Sequence, residues 1–133
     1  GNASEMIAAN KGEDTKEIIE YLLQNQIDNF YDNPEMQKLI LWEISKKTKI
    51  MYEVCEEREH LGSKVFELTD KELQGRNIDI RAVTALLVAG IYYMVLHAKS
   101  TDTTFCEIDI NQPEGMERIK NAINLILDNT YNN

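Results

Sequence analysis

The side chains of this sequence that could do chemistry lie closest together in one stretch, Glu57-Arg58-Glu59-His60. On a helix, a Glu-x-x-His spacing can bring a carboxylate and an imidazole to one metal ion, as in carboxylate-bridged di-iron bundles. Such a site needs the motif twice. The only other histidine, His97, is preceded three positions earlier by Met94, which cannot supply the second carboxylate. We therefore interpret the stretch as a solvated acidic helix face, and we predict no metal site.

Nucleophilic catalysis and phosphate binding are not indicated either. A cysteine or serine nucleophile needs a base that is itself oriented by a third polar group. Cys55 and His60 are five positions apart and would point in different directions on a helix. There is no glycine-rich phosphate loop, and Cys55 and Cys106 are too far apart for a CxxC pair. The sequence predicts a protein that is not an enzyme and that holds no cofactor.

Arg58 is the charge with the most distinctive position, because it falls on an apolar helical stripe between Val54 and Leu61. A guanidinium in such a place either extends along its own methylenes to the surface or is satisfied by a buried carboxylate or ligand oxygen. The second alternative predicts a cavity at Arg58. Large, partly polar side chains of the kind that line ligand pockets complete the candidate set, although they could equally form the core. The candidate ligand-binding residues are Tyr21, Trp42, Met51, Tyr52, Cys55, Arg58, Tyr92 and Met94.

Charge and composition narrow the class of partner. The 133 residues contain 14 Lys plus Arg against 23 Asp plus Glu, a net charge of −9, so nucleic-acid phosphates would be repelled. A hydrophobic content of 43% is enough for one continuous core. The first ten residues have neither a basic start nor an apolar signal core, which favours a cytoplasmic location. The start at Gly1 instead of Met leads us to expect a fragment from which an upstream segment has been removed.

Apolar residues recur at three- and four-residue intervals through most of the chain, and no β-pattern of useful length is present. Asp14 with Glu17 has the spacing of a capping box, and Asn33-Pro34 indicates a helix restart. These signals predict an all-α, single-domain bundle of about five to six helices over residues 1–133. The expected helices cover residues 3–10 weakly, then 15–31, a helix that begins at Pro34, about 48–73, about 79–98, and from 113 towards the C-terminus.

The stretch from Ala85 to Leu96 contains no charged residue. A helix that is apolar all round is expected to be buried on every side. Its twelve residues are too few to cross a bilayer, which needs about 20, so we predict no membrane contact. The other helices of one small domain would not cover the whole circumference, and the sequence therefore predicts a homodimer. The candidate interface residues are Ala82, Leu86, Ala89, Gly90, Tyr93, Ile119, Ile123 and Ile126.

The order of these elements resembles the C-terminal regulatory domain of the TetR family of bacterial transcription regulators. The most characteristic part is the final pair, DIRAVTALLVAGIYYMVLHAKS (79–100) followed after a connector by PEGMERIKNAINLIL (113–127). The resemblance implies a domain that dimerises through its last two helices and binds a small-molecule effector within the preceding ones. It also implies that DNA is bound only through an N-terminal helix-turn-helix domain outside this chain. The alternative is a helical module that binds another protein.

Overall fold

The structure is a computed structural model that describes residues 2–46 and 48–133. Within these ranges there is no β-strand, and the only β-type pairing is an isolated bridge between Phe105 and Ile108. The prediction of an all-α bundle of five to six helices is confirmed. The six helices of the described residues are α1 (Asn2–Ala9), α2 (Thr15–Tyr31), α3 (Pro34–Ser45), α4 (Lys49–Glu72), α5 (Ile80–Thr101) and α6 (Pro113–Tyr131).

Helix α2 is the centre of the bundle and contacts all five other helices. Most residues of α2 are buried or half-buried, so the helix is covered on more than one side. Ile27 is completely buried. Each such side chain contributes roughly 1.5–3 kcal/mol when it is removed from water. The core residues that α2 supplies are Ile18, Ile19, Leu23, Ile27 and Phe30.

The starts of α3, α4 and α5 are fixed locally, and the cap of α3 at Asn33 is the one that the sequence predicts. Each is preceded by a short polar residue whose side-chain oxygen accepts a hydrogen bond from a backbone N–H in the first turn. Pro34 stands at the first position of α3, where its missing N–H costs nothing. The three caps are Asn33 to the amide of Met36 (3.0 Å), Thr48 to Met51 (3.1 Å) and Asp79 to Ala82 (3.0 Å).

The predicted capping box at the start of α2 is wrong. Asp14 has a left-handed backbone (φ 54°) and its side chain makes no capping bond. Glu72, at the end of α4, caps α2 instead, since its Oε1 accepts from the Thr15 amide at 2.7 Å and from Thr15 Oγ1 at 2.9 Å. Because the Thr15 proton goes to a carboxylate, the Thr15 oxygen accepts from Tyr131 Oη, 2.8 Å away. One polar chain therefore joins α2, α4 and α6.

The connector between α5 and α6 is held against the bundle. Tyr31 Oη of α2 donates to Asn111 Oδ1 at 2.6 Å, and Asn111 Nδ2 donates to the Ala98 carbonyl at 3.2 Å. Helix α6 then begins in close contact with the connector, because a Cβ at Gly115 would lie 1.9 Å from the Asp109 carbonyl oxygen. Only glycine fits at that position.

Candidate functional site

A half-open cleft of about 340 Å³ lies between α3 and α4. This volume is at the lower end of the range that small-molecule sites occupy, roughly 300–1,000 Å³. Its walls are mostly aliphatic or thioether side chains, with three charged groups among them. The lining residues are Met36, Leu39, Ile40, Glu43, Met51, Val54, Glu57, Arg58 and Leu61.

Arg58 is the polar centre of this cleft. Its Nη2 forms an ion pair with Glu43 Oε1 of α3 and lies 3.3 Å from Cys55 Sγ, while its Nη1 donates to Tyr92 Oη of α5 at 3.2 Å. The Cys55 thiol also donates to Glu43 Oε1, at 2.7 Å. The Nε of Arg58 is buried and has no hydrogen-bond partner among the described residues. Arg58 thus links three helices from one edge of the cleft.

A cleft is present at Arg58, but only some of the predicted ligand-binding residues line it. Of the eight candidates, Met51 and Arg58 line the cleft, and Cys55 and Tyr92 contact Arg58. The remaining four do not line it. Trp42 and Tyr52 are 58% and 66% exposed, Tyr21 is half-buried on α2, and Met94 packs against the core from α5.

Sequence reasoning did not identify Glu43 or Glu57 as cleft residues. Leu39 and Ile40 of α3 line the cleft and were not among the predicted ligand-binding residues either. The approach of Glu43 to Arg58 depends on how α3 packs across α4, which no local pattern encodes. The one available signal was charge, because an arginine on an apolar stripe needs an anionic partner and Glu43 is the only acidic residue in the second half of α3.

Helix α5 carries a second notable feature, an apolar surface that none of the described residues covers. We call it the open α5 face; Leu86 and Tyr93, its largest side chains, are 76% and 54% exposed. The opposite side of α5 is in the core through Ile91, Val95 and Ala98. The expectation that this helix is buried on every side is therefore not met within the described chain. The open α5 face consists of Ala82, Ala85, Leu86, Ala89, Gly90 and Tyr93.

The predicted interface residues on α6 divide between core and surface. Ile123 is 3% exposed and packs inside the chain's own core, so its assignment to an interface is wrong. Ile119 is half-buried against the same core, whereas Ile126 is exposed. The apolar side chain next to it, Leu125, is also exposed. The helical period of 3.6 explains the error, because Ile123 and Leu127 share the inward side while Leu125 and Ile126 point away from it.

The uncharged stretch from Ala85 to Leu96 belongs to a longer helix, so its length does not exclude membrane contact. Helix α5 has 22 residues, and an 18-residue window within it has a mean hydropathy of 1.6. By length and composition alone, such a helix could cross a membrane. The same properties suit a helix with one side in a protein core, which is the position of Ile91 and Val95 here.

The end of the open α5 face is shaped by an aromatic cluster. The rings of Tyr93 and Phe105 are 5.1 Å apart in an edge-to-face arrangement, and His97 stacks on Tyr93 at 5.7 Å. Phe105 is held there by a tight turn to Ile108 whose two central residues have φ of 52° and 63°. Two positive φ values in succession are typical of a type I′ turn, the form that suits a right-handed strand twist.

Further candidate chemistry is limited in the part of the chain that the structure describes. No group of three His, Cys, Asp or Glu side chains there could hold a metal ion, and Cys55 and Cys106 are free thiols. A smaller cavity of about 230 Å³ lies where α4 meets the start of α5. At its rim, Arg81 binds both carboxylate oxygens of Asp70, at 2.7 and 3.0 Å.

Fold and site together define a helical bundle with an apolar cleft that holds an ion pair and with an uncovered apolar helix face. Comparisons with models of protein families, with characterised proteins and with solved structures found no match to this chain.

Proposed function

We propose that this chain is the dimerising, effector-binding domain of a TetR-like bacterial transcription regulator. In this proposal a small molecule binds the cleft between α3 and α4. A second copy of the chain covers the open α5 face together with the exposed apolar side chains of α6. DNA is bound by a helix-turn-helix domain that is not among these 133 residues.

The observation that carries the proposal is that a side chain lining the cleft also bonds to α5, the helix that carries the open α5 face. Arg58 lines the cleft and donates to Tyr92 Oη at 3.2 Å. The next residue of α5, Tyr93, belongs to the open α5 face and is exposed. A ligand that displaces the Arg58 side chain would therefore alter the support of α5 directly beneath the surface that a second copy would contact.

The mechanism follows from this connection. An effector that binds one arrangement of α3, α4 and α5 better than another shifts the population towards that arrangement. Because the two-fold partner would sit on α5, a change in α5 would alter the relative positions of the two subunits. The DNA-binding domains attached to them would move with the subunits. Coupling of this kind in allosteric proteins is typically about 1–3 kcal/mol.

The small residues of the open α5 face support a helix–helix contact. Ala82, Ala85, Ala89 and Gly90 let a neighbouring backbone approach closely, and a Cβ added at Gly90 would meet nothing within 4 Å in the isolated chain. A two-fold contact buries the same surface on both subunits, so one apolar face is sufficient for both partners.

Sedimentation of the wild-type chain and of three aspartate variants tests the dimer. The wild type should sediment as a dimer at tens of micromolar. Leu86→Asp should give folded monomers, because it places a charge on the open α5 face. Ile123→Asp should instead unfold the chain, since Ile123 is in the core. Ile44→Asp, at an exposed position on α3, is the matched control and should remain dimeric.

A monomeric wild type, or a Leu86→Asp variant that remains dimeric, would contradict the proposal. The residues encoded before Asn2 test its DNA-binding part independently. A basic three-helix segment with a helix-turn-helix pattern would support the regulator, and an initiator methionine at that junction would overturn it.

A second function is favoured by a separate observation, namely the exposed apolar side chains at the turn between α3 and α4. Trp42, Ile44, Ile50 and Tyr52 are all exposed there, and such a patch is a common feature of protein-binding surfaces. Under this alternative the chain is a helical module that binds another protein. Loss of partner binding in Ile44→Asp, combined with a monomeric wild type, would favour it over the regulator.

A further inference from the structure

The charges that line the cleft indicate which chemical class of small molecule it would bind. Two carboxylates, Glu43 and Glu57, and one guanidinium, Arg58, are among its lining residues. The Arg58 charge is already matched by Glu43. The lining therefore has one surplus negative charge.

An anionic ligand would face two obstacles at Arg58. Both terminal nitrogens of the guanidinium already have partners, Glu43 and Cys55 at Nη2 and Tyr92 at Nη1, and its Nε is buried, although the side chain as a whole is 38% exposed. A ligand carboxylate would thus have to compete for Arg58 with Glu43, whose side chain is only 19% exposed. Leaving that carboxylate without its cation would be unfavourable, because a largely buried charge that loses its partner keeps its desolvation cost.

A cationic ligand faces neither obstacle. Glu57 makes no ion pair or hydrogen bond with the described residues, so its carboxylate is available at the edge of the cleft. Glu53, Glu56 and Glu59 are nearby on the same helix, and the whole chain has a net charge of −9. Both raise the local concentration of cations. The remaining lining is apolar, notably Leu39, Ile40 and Val54, and would hold a hydrocarbon body rather than a bare ion.

We propose that the cleft between α3 and α4 binds an amphipathic cation, with an ammonium head beside Glu57 and Glu43 and an aliphatic or aromatic body along α3 and α4. This inference rests on the proposed function, which makes the cleft an effector site, and it names the class of that effector. A bound cation would weaken the ion pair between Glu43 and Arg58. It would thereby affect the hydrogen bond from Arg58 to Tyr92.

Three probes of equal chain length test the class: octyltrimethylammonium, octanoate and octanol, each titrated below its micelle concentration. Isothermal calorimetry gives the dissociation constants. The cation should bind at least about fivefold more tightly than either other probe, the effect of roughly one charge pair at the protein surface.

Two single-charge variants separate a site from general attraction to an acidic protein. Glu57→Gln should weaken binding of octyltrimethylammonium about fivefold. Glu56→Gln removes the same charge from an exposed neighbour that does not line the cleft, and should change binding less than about twofold. Far-UV circular dichroism of both variants confirms that they remain folded.

Equal affinity for the three probes, tighter binding of octanoate, or equal effects of the two variants would overturn the inference. So would the absence of binding by octyltrimethylammonium. None of these results concerns the dimer, which sedimentation tests separately. If a neutral or anionic effector changed the dimer contact at α5, the proposed function would be supported. The cationic class of effector would then be excluded.

Discussion

Two halves of this bundle differ in how completely they are packed. The closed half consists of α2, α5, α6 and the C-terminal half of α4, and it holds the fully buried side chains Thr15, Ile27, Thr69, Val95 and Leu127. The open half consists of α3 and the N-terminal half of α4. There only Ile40 and Met51 are buried, and the cleft lies between the two helices.

The difference indicates that the closed half provides most of the stability and that the open half can change conformation more easily. Elements with few buried apolar contacts open locally at low free energy, and ligand-binding regions are drawn from them. The closed half is fixed further by the polar chain from Tyr131 through Thr15 to Glu72. The open half has instead one ion pair, Glu43 with Arg58, in a partly exposed setting. We therefore expect a ligand to rearrange the open half more readily than the closed half.

The largest expected effect contrasts one leucine from each half. Leu127→Ala should destabilise the chain by about 3–4 kcal/mol, because Leu127 is fully buried and its removal leaves a cavity. Leu41→Ala, at a position 42% exposed on α3, should cost less than about 1 kcal/mol. Urea unfolding followed by circular dichroism measures both. Equal losses would remove the distinction between the halves.

Two glycines in helices give the next contrast. Gly115→Ala should destabilise the chain by roughly 2 kcal/mol, because the new Cβ would overlap the Asp109 carbonyl. Gly90→Ala has open space and should stabilise an isolated subunit by about 0.5–1 kcal/mol through helix propensity. Thermal unfolding compares the two variants. If Gly90→Ala also weakens the dimer in sedimentation, close helix approach on the open α5 face is supported, whereas an unchanged dimer would count against it.

A pH-dependent effect tests the polar chain of the closed half. Burial raises the pKa of Tyr131 above its ordinary value, although the hydrogen bond with Thr15 opposes the shift. The folded chain therefore holds the phenol proton more tightly than the unfolded chain does. Stability is unaffected below about pH 10, where both states are protonated, and it falls as pH rises beyond that value.

Tyr131→Phe should cost about 1 kcal/mol at neutral pH and should show a shallower loss of stability in alkali than the wild type. Urea unfolding at a series of pH values measures both effects. Tyr52→Phe, at an exposed position of α4, is the control and should keep wild-type stability at neutral pH. An alkaline loss as steep in Tyr131→Phe as in the wild type would show that another group is responsible.

The smallest expected effect concerns the cap of α3. Asn33→Ala removes a capping bond to the Met36 amide, worth about 1 kcal/mol to the helix. Because α3 is in the open half, we expect the amides of α3 to exchange hydrogen faster in this variant. The free energy of global unfolding should change by less than about 0.5 kcal/mol. Asp32→Ala, beside it and outside the cap, is the control. A full 1 kcal/mol loss in global unfolding would show that α3 is an integral part of the core.

Local signals predicted much of the fold. The Asn33-Pro34 restart depends on residues at most three positions apart, and it is present. The predicted helix starts near Thr48 and Asp79 also agree with the structure. Asp14 was misinterpreted because its spacing to Glu17 suits a capping box, whereas a side chain 57 positions away makes the bond. A competing long-range partner leaves no trace in a local pattern.

The candidate site was predicted in part for the same reason. Arg58 stood out because a charge on an apolar stripe is costly without a partner. Its partners Glu43 and Tyr92, on two other helices, were set by the angles at which those helices pack. Trp42 and Tyr52 were chosen by residue type alone, and residue type does not say on which side of a helix a ring will lie.

The sequence by itself determined the helical class, most helix boundaries and the apolar character of α5, because these depend on periodicity, capping chemistry and composition over a few turns. Only the tertiary structure decided that α5 buries Ile91 and Val95 while Leu86 and Tyr93 remain outside. It also decided that Ile123 faces the core and that Glu43 reaches Arg58. The physical reason is that local sequence sets how strongly a residue avoids water or needs a partner, whereas helix packing sets which residues meet.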